Sequence, residues 1–86
     1  MIDDWDPTRP KWEQIADVLR ARIASGTYPP QHLVSEVRLE QEFGVARMTA
    51  RKAVRALREE GLLITRPGMG SFVSRRHELV KQPDGD

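Results

Sequence analysis

Trp12, Ile15, Ala16, Leu19 and Ile23 recur at i, i+3, i+4, i+7 and i+11, one apolar stripe along the side of a helix. The pattern predicts a first helix over about residues 9–25, with Thr8 as candidate N-cap, Pro10 in the first turn and Gly26 at the end. Residues 1–8 are acidic and broken by Pro7, and read as a flexible lead-in. Two prolines in Thr27-Tyr28-Pro29-Pro30-Gln31 remove backbone donors and push the chain toward extended geometry, so the helix stops there. Ser35 offers an N-cap oxygen for a second helix over about 36–43, which buries Leu39 and Phe43 and ends at Gly44. Glu36, next after the cap, suits the positive end of that helix. A third helix runs from Ala46 or Arg47 to about Glu60, with Ala50, Ala53, Val54 and Leu57 as its buried stripe and Gly61 closing it.

Beyond Gly61 the spacing changes. Leu62-Leu63-Ile64-Thr65 and Ser71-Phe72-Val73-Ser74 are short and apolar, and Arg66-Pro67-Gly68-Met69-Gly70 lies between them. Two strands joined by a Pro/Gly turn make a β-hairpin, which must pack on the helices to persist. Three helices followed by a two-stranded hairpin wing are the order of a winged helix-turn-helix, an α+β fold that is mainly α. The expected domain covers about residues 9–75, and 76–86 form a polar tail or linker.

Composition narrows the function. An 86-residue chain has room for one core. It has no cysteine, which excludes a disulfide scaffold, a thiolate metal site and cysteine catalysis. No apolar run approaches the ~18 residues of a membrane span. Residues 1–19 carry five acids, unlike a signal peptide, so a cytoplasmic protein is expected. The net charge of +1 hides an asymmetry: residues 45–76 hold eight basic side chains against two acidic ones. Basic charge gathered in one half marks where an anionic polymer would bind.

The third helix concentrates that charge. At about 100° per residue, Arg47, Arg51, Arg55 and Arg58 fall within about 80° of one another, away from the buried stripe, and Lys52 adds to the same basic surface. Guanidinium pairs bidentately with a guanine edge or a phosphate. Thr49 and the free amides near Arg47 add donors for a phosphate at the helix start. In the hairpin, Gly68 and Gly70 let the backbone come close to a partner and Arg66 supplies charge, which suits a minor groove about 6 Å wide. Catalysis has no comparable support. His32 and His77 lack metal-ligand partners, no serine sits in a nucleophile frame, and no cofactor is expected.

Trp12-Glu13-Gln14-Ile15-Ala16 and Arg22-Ile23-Ala24-Ser25-Gly26-Thr27-Tyr28-Pro29-Pro30 resemble the opening of the GntR-family winged-helix domain. The likeness continues through Leu33-Val34-Ser35-Glu36, Phe43-Gly44-Val45-Ala46-Arg47 and Ala53-Val54-Arg55-Ala56-Leu57. It closes with Glu60-Gly61-Leu62 and Arg66-Pro67-Gly68-Met69-Gly70-Ser71-Phe72-Val73. The resemblance covers about residues 10–74. It implies a bacterial transcription regulator, usually a repressor, that binds a palindromic operator in double-stranded DNA as a dimer. It also implies DNA contacts from Ser35, Arg47, Thr49, Arg51, Gly68 and Gly70. Three positions depart from the family pattern: Val37 stands for an arginine, Ala46 for a capping serine and Met48 for a threonine. Family members carry a second, metabolite-binding and dimerising domain after the wing, whereas about a dozen polar residues follow Val73 here. The chain is therefore either a piece of a longer regulator or a short stand-alone one. In isolation it is expected to be a monomer or weak dimer, to pair on DNA, and to answer to no small-molecule effector. The alternative is a winged helix used for protein–protein contact, which salt would distinguish, because phosphate contacts weaken steeply with ionic strength.

Overall fold

The computed structural model describes residues 4–74, so the expected tail at 76–86 lies outside the described residues. Six elements follow in order: α1 (Lys11–Ser25), β1 (Leu33–Val34), α2 (Glu36–Phe43), α3 (Arg47–Glu59), β2 (Leu63–Arg66) and β3 (Gly70–Val73). The three helices lie where the apolar spacing predicts them, and α2 has its expected bounds. At the start of α1 the expected cap is corrected. Pro10, not Thr8, is the N-cap residue, with no side-chain cap bond. Thr8 instead donates its amide and hydroxyl to Asp6 Oδ1, at 2.9 and 2.7 Å, closing a turn ahead of the helix.

The segment ahead of α1 is tied down by a side chain that the apolar stripe does not include. Gln14 is buried, and its amide nitrogen donates to the Asp6 and Arg9 carbonyls at 2.9 and 3.0 Å. Its Oε1 accepts from the Asp6 amide at 3.0 Å. Trp5 packs against the core beside it, with the Lys11 ammonium over its ring.

The wing corrects the expected strand count. A third strand, β1, joins the hairpin, and the sheet order is β1-β3-β2 with both pairs antiparallel. Leu33 stands opposite Phe72 and Val34 opposite Ser71, and the pairing extends outward through Val73 N–H to the His32 carbonyl at 2.9 Å. Two residues are too few to show an alternating pattern, so β1 is invisible to periodicity. It nevertheless satisfies a β3 edge that would otherwise leave donors and acceptors unpaired.

The core lies between α1, α3 and the sheet. Ile15, Ala16, Leu19, Ala50, Ala53 and Leu57 are wholly buried, with Leu39 and Phe43 of α2 and Val34, Leu63 and Val73 of the sheet around them. Burying each larger aliphatic side chain contributes about 1.5–3 kcal/mol before chain entropy is counted. Ion pairs brace the outside. Arg20 of α1 grips the Glu60 carboxylate with Nε and Nη2 at 2.9 and 2.7 Å, and Arg22 pairs with Glu42 of α2.

Candidate nucleic-acid interface

Helices α2 and α3 form a helix-turn-helix unit because two local signals set the turn. Gly44 takes a left-handed φ of 64° and returns its N–H to the Glu40 carbonyl, and Val45 N–H reaches the same oxygen at 3.2 Å. Ser35 caps α2 as expected, its Oγ accepting from the Arg38 amide at 3.3 Å. The start of α3 has no such side chain: Ala46 has an extended, cap-like backbone with nothing to offer the first turn. Thr49 and Ala50 amides fold back onto the Ala46 carbonyl, at 3.1 and 3.2 Å.

The hairpin tip is a tight turn from Arg66 to Met69, closed by Met69 N–H to the Arg66 carbonyl at 2.9 Å. Pro67 and then Gly68, with φ of 77°, occupy the two central positions, the residue order of a type II turn. Gly70 answers a different demand. Its φ is 116°, and a Cβ there would stand 3.0 Å from Leu33 Cδ1.

One cleft runs between the wing and the helix-turn-helix unit. Ser35, Glu36 and Val37 line one side, Arg47 another, and Thr65, Met69, Gly70 and Leu33 belong to the sheet side. Three of the expected site residues, Ser35, Arg47 and Gly70, therefore share a surface, and Arg51 joins them through Glu36, whose Oε1 is 3.6 Å from Arg51 Nε. Thr49 is half-buried within the first turn of α3, two residues after Arg47. Lys52 and Arg55 are exposed but face elsewhere: with Trp12, Ala56 and Glu59 they line a second groove on the α1 side of α3. Arg58, grouped with the other arginines by helical angle, is directed at the sheet, its Nη1 reaching Thr65 Oγ1 at 3.4 Å. Arg66 and Gly68 are exposed in the hairpin, outside the shared cleft.

Sequence spacing overlooked the acids. Glu40 Oε2 accepts from Arg47 Nε at 2.8 Å, and this carboxylate favours the charged guanidinium, raising the Arg47 pKa above the ordinary arginine value. Glu36 and Glu40 stand four residues apart on α2, as do Arg47 and Arg51 on α3. The matching intervals were the available signal, but the acids count as part of a charge-balanced segment until the two helices are crossed. Spacing also did not show that apolar groups gather in the cleft. Leu33, Val37, Met48 and Met69 are 47–67% exposed, and all but Met48 line the shared cleft.

Helix-turn-helix, flanking wing and basic third helix together define a winged-helix regulatory domain. The family model for "Bacterial regulatory proteins, gntR family" matches residues 11–73, and the chain belongs to that family. The histidine utilization repressor of Pseudomonas aeruginosa is 38% identical over 66 residues, 76% of this chain and 26% of the relative. The mannosyl-D-glycerate transport/metabolism system repressor of Escherichia coli K12 is 42% identical over 66 residues, again 76% of this chain and 28% of the relative. The chain thus spans little more than a quarter of the curated relatives it matches. Among solved structures, the DNA-binding domain of AraR in complex with operator ORR3 superposes with a TM-score of 0.74 at 33% identity, covering 86% of this chain and 88% of that one. No helix among the described residues is long and apolar enough to cross a membrane.

Proposed function

We propose that this chain is a sequence-specific binder of double-stranded DNA, the DNA-binding domain of a GntR-type transcriptional repressor. Helix α3 enters the major groove and the wing approaches the neighbouring minor groove. Two copies occupy the halves of a palindromic operator. Arg47 and Arg51 read base edges, while Ser35, Thr49, Lys52, Arg55 and Arg66 with the Gly68 and Gly70 backbone hold the sugar-phosphate strands. One observation carries this: Ser35, Arg47 and Gly70 line a single cleft with Arg51 beside it, so groups from three separate segments converge on one surface. The names of the relatives, repressors among them, and the operator-bound AraR domain support the same assignment.

Selection from a random duplex library, followed by fluorescence anisotropy over a salt series, tests it. A consensus with two related half-sites should emerge. Its affinity should fall linearly in log–log form, with a slope of about −0.9 for each phosphate neutralised. No enrichment, together with salt-insensitive binding, would favour the protein–protein alternative.

A further inference from the structure

We propose that Glu40 is a specificity-determining residue: by holding Arg47 through Nε, it presents the terminal Nη1–Nη2 edge of the guanidinium to a guanine and withholds it from phosphate. The inference rests on the DNA-binding function proposed above.

A guanidinium has two edges able to make paired hydrogen bonds, one at the side through Nε and one at the end through Nη1 and Nη2. The Arg47 bond to Glu40 uses Nε, at 2.8 Å, and no hydrogen bond among the described residues engages Nη1 or Nη2. The end edge is the one left to meet guanine O6 and N7. Glu40 is itself well placed to hold still. Its side chain is 24% exposed against 59% for Arg47, and its carbonyl fixes the turn through Gly44 and Val45. The arrangement repeats one turn away, where Arg51 Nε faces Glu36 at 3.6 Å.

A carboxylate on a surface that meets a polyanion weakens general attraction, so its contribution must lie elsewhere. An unheld arginine is long and finds the nearest phosphate whatever the sequence. Held at Nε, it has already lost much of its rotamer freedom, and that ordering is no longer charged to the specific complex. Both effects widen the gap between a preferred site and random DNA.

The test uses the full chain as wild type, Glu40→Ala, Glu40→Gln and Arg47→Ala, with circular dichroism confirming the helices of each. The probes are a duplex recovered by selection with wild type, the same duplex with each guanine replaced in turn by 7-deazaguanine, which lacks the N7 acceptor, and a random-sequence pool. Wild type should be sensitive to deaza substitution at one guanine of each half-site, and Arg47→Ala should lose that sensitivity. Glu40→Ala should lose most of it too, and the ratio of selected to random affinity should fall about three- to tenfold, the equivalent of ordering one long side chain. Glu40→Gln, whose amide oxygen still accepts from Nε, should lie between. If Glu40→Ala and Glu40→Gln keep both the full deaza sensitivity and the wild-type ratio, Glu40 does not determine specificity. If the wild type selects no sequence at all, the DNA-binding function fails and not merely the role of Glu40.

Discussion

Gly70 does two things at one position, and they can be separated. Its φ of 116° lies where side chains are strained, and a Cβ would press on Leu33 Cδ1 at 3.0 Å. Gly70→Ala should therefore cost about 1–3 kcal/mol in urea denaturation. Adding Leu33→Ala frees the space but leaves the backbone strain, so the double variant should recover only part of that loss. Arg51 is the residue that tests the proposed recognition. It is half exposed and held only at 3.6 Å, so Arg51→Ala should leave stability nearly unchanged. On the selected duplex it should cost about 1–3 kcal/mol and relax one base pair, with little loss on random DNA. An equal loss on both would make Arg51 a phosphate contact. At this scale the sequence was informative about charge and silent about restraint. Arg47 and Arg51 stood out by number and spacing, but Glu40's hold on Arg47 depends on how α2 crosses α3.

Among the elements, α3 is the one with an unfinished end. Ala46 already has the extended backbone of a cap residue, with φ −73° and ψ 161°, and lacks only the oxygen. Ala46→Ser should stabilise the domain by about 1 kcal/mol, read as a higher urea midpoint at unchanged slope. A fall in stability would mean that the hydroxyl cannot reach the first-turn amides. Ser35 shows the completed version on α2. Helices were legible because 3.6-residue periodicity needs only a dozen positions and a terminating glycine. Strand β1 was not, because it consists of two residues whose role is to pair with a segment nearly forty positions away. Gln14 escaped notice for a related reason: a polar residue flanking an apolar stripe reads as solvent-facing until its hydrogen-bond partners are placed.

For the molecule as a whole, acid should be the weak direction. Arg22 holds the Glu42 carboxyl below its ordinary value of 4.5, and Arg9, with Arg20, holds Asp17 below its ordinary 3.8. Both groups bind protons more weakly when folded, so their contribution is present above those ordinary values and is lost as pH falls through the depressed ones. Melting temperature should hold steady above pH 4.5 and drop below it. Glu42→Gln should start lower and fall less steeply, retaining the Asp17 part; an unchanged slope would remove the Arg22–Glu42 pair from the acid response. The overall plan, three helices and a hairpin, was legible because each step follows from local pattern. The way the plan closes was not.

That closure has a mechanical consequence. Because β3 lies between β1 and β2, the strand that carries the wing is also bonded to the two residues leading directly into Ser35 and α2. The hairpin is thus no pendant flap on a hinge but one jaw of a caliper whose other jaw is the helix-turn-helix. Its opening is set by backbone ladder bonds, whose donors and acceptors are left in place by substitutions other than to proline. On the DNA-binding function proposed above, a duplex gripped by both jaws must bring its two grooves to that fixed gauge. Under that proposal, sequences whose groove width already matches the gauge should be favoured over those that must be deformed, even at base pairs that no side chain touches.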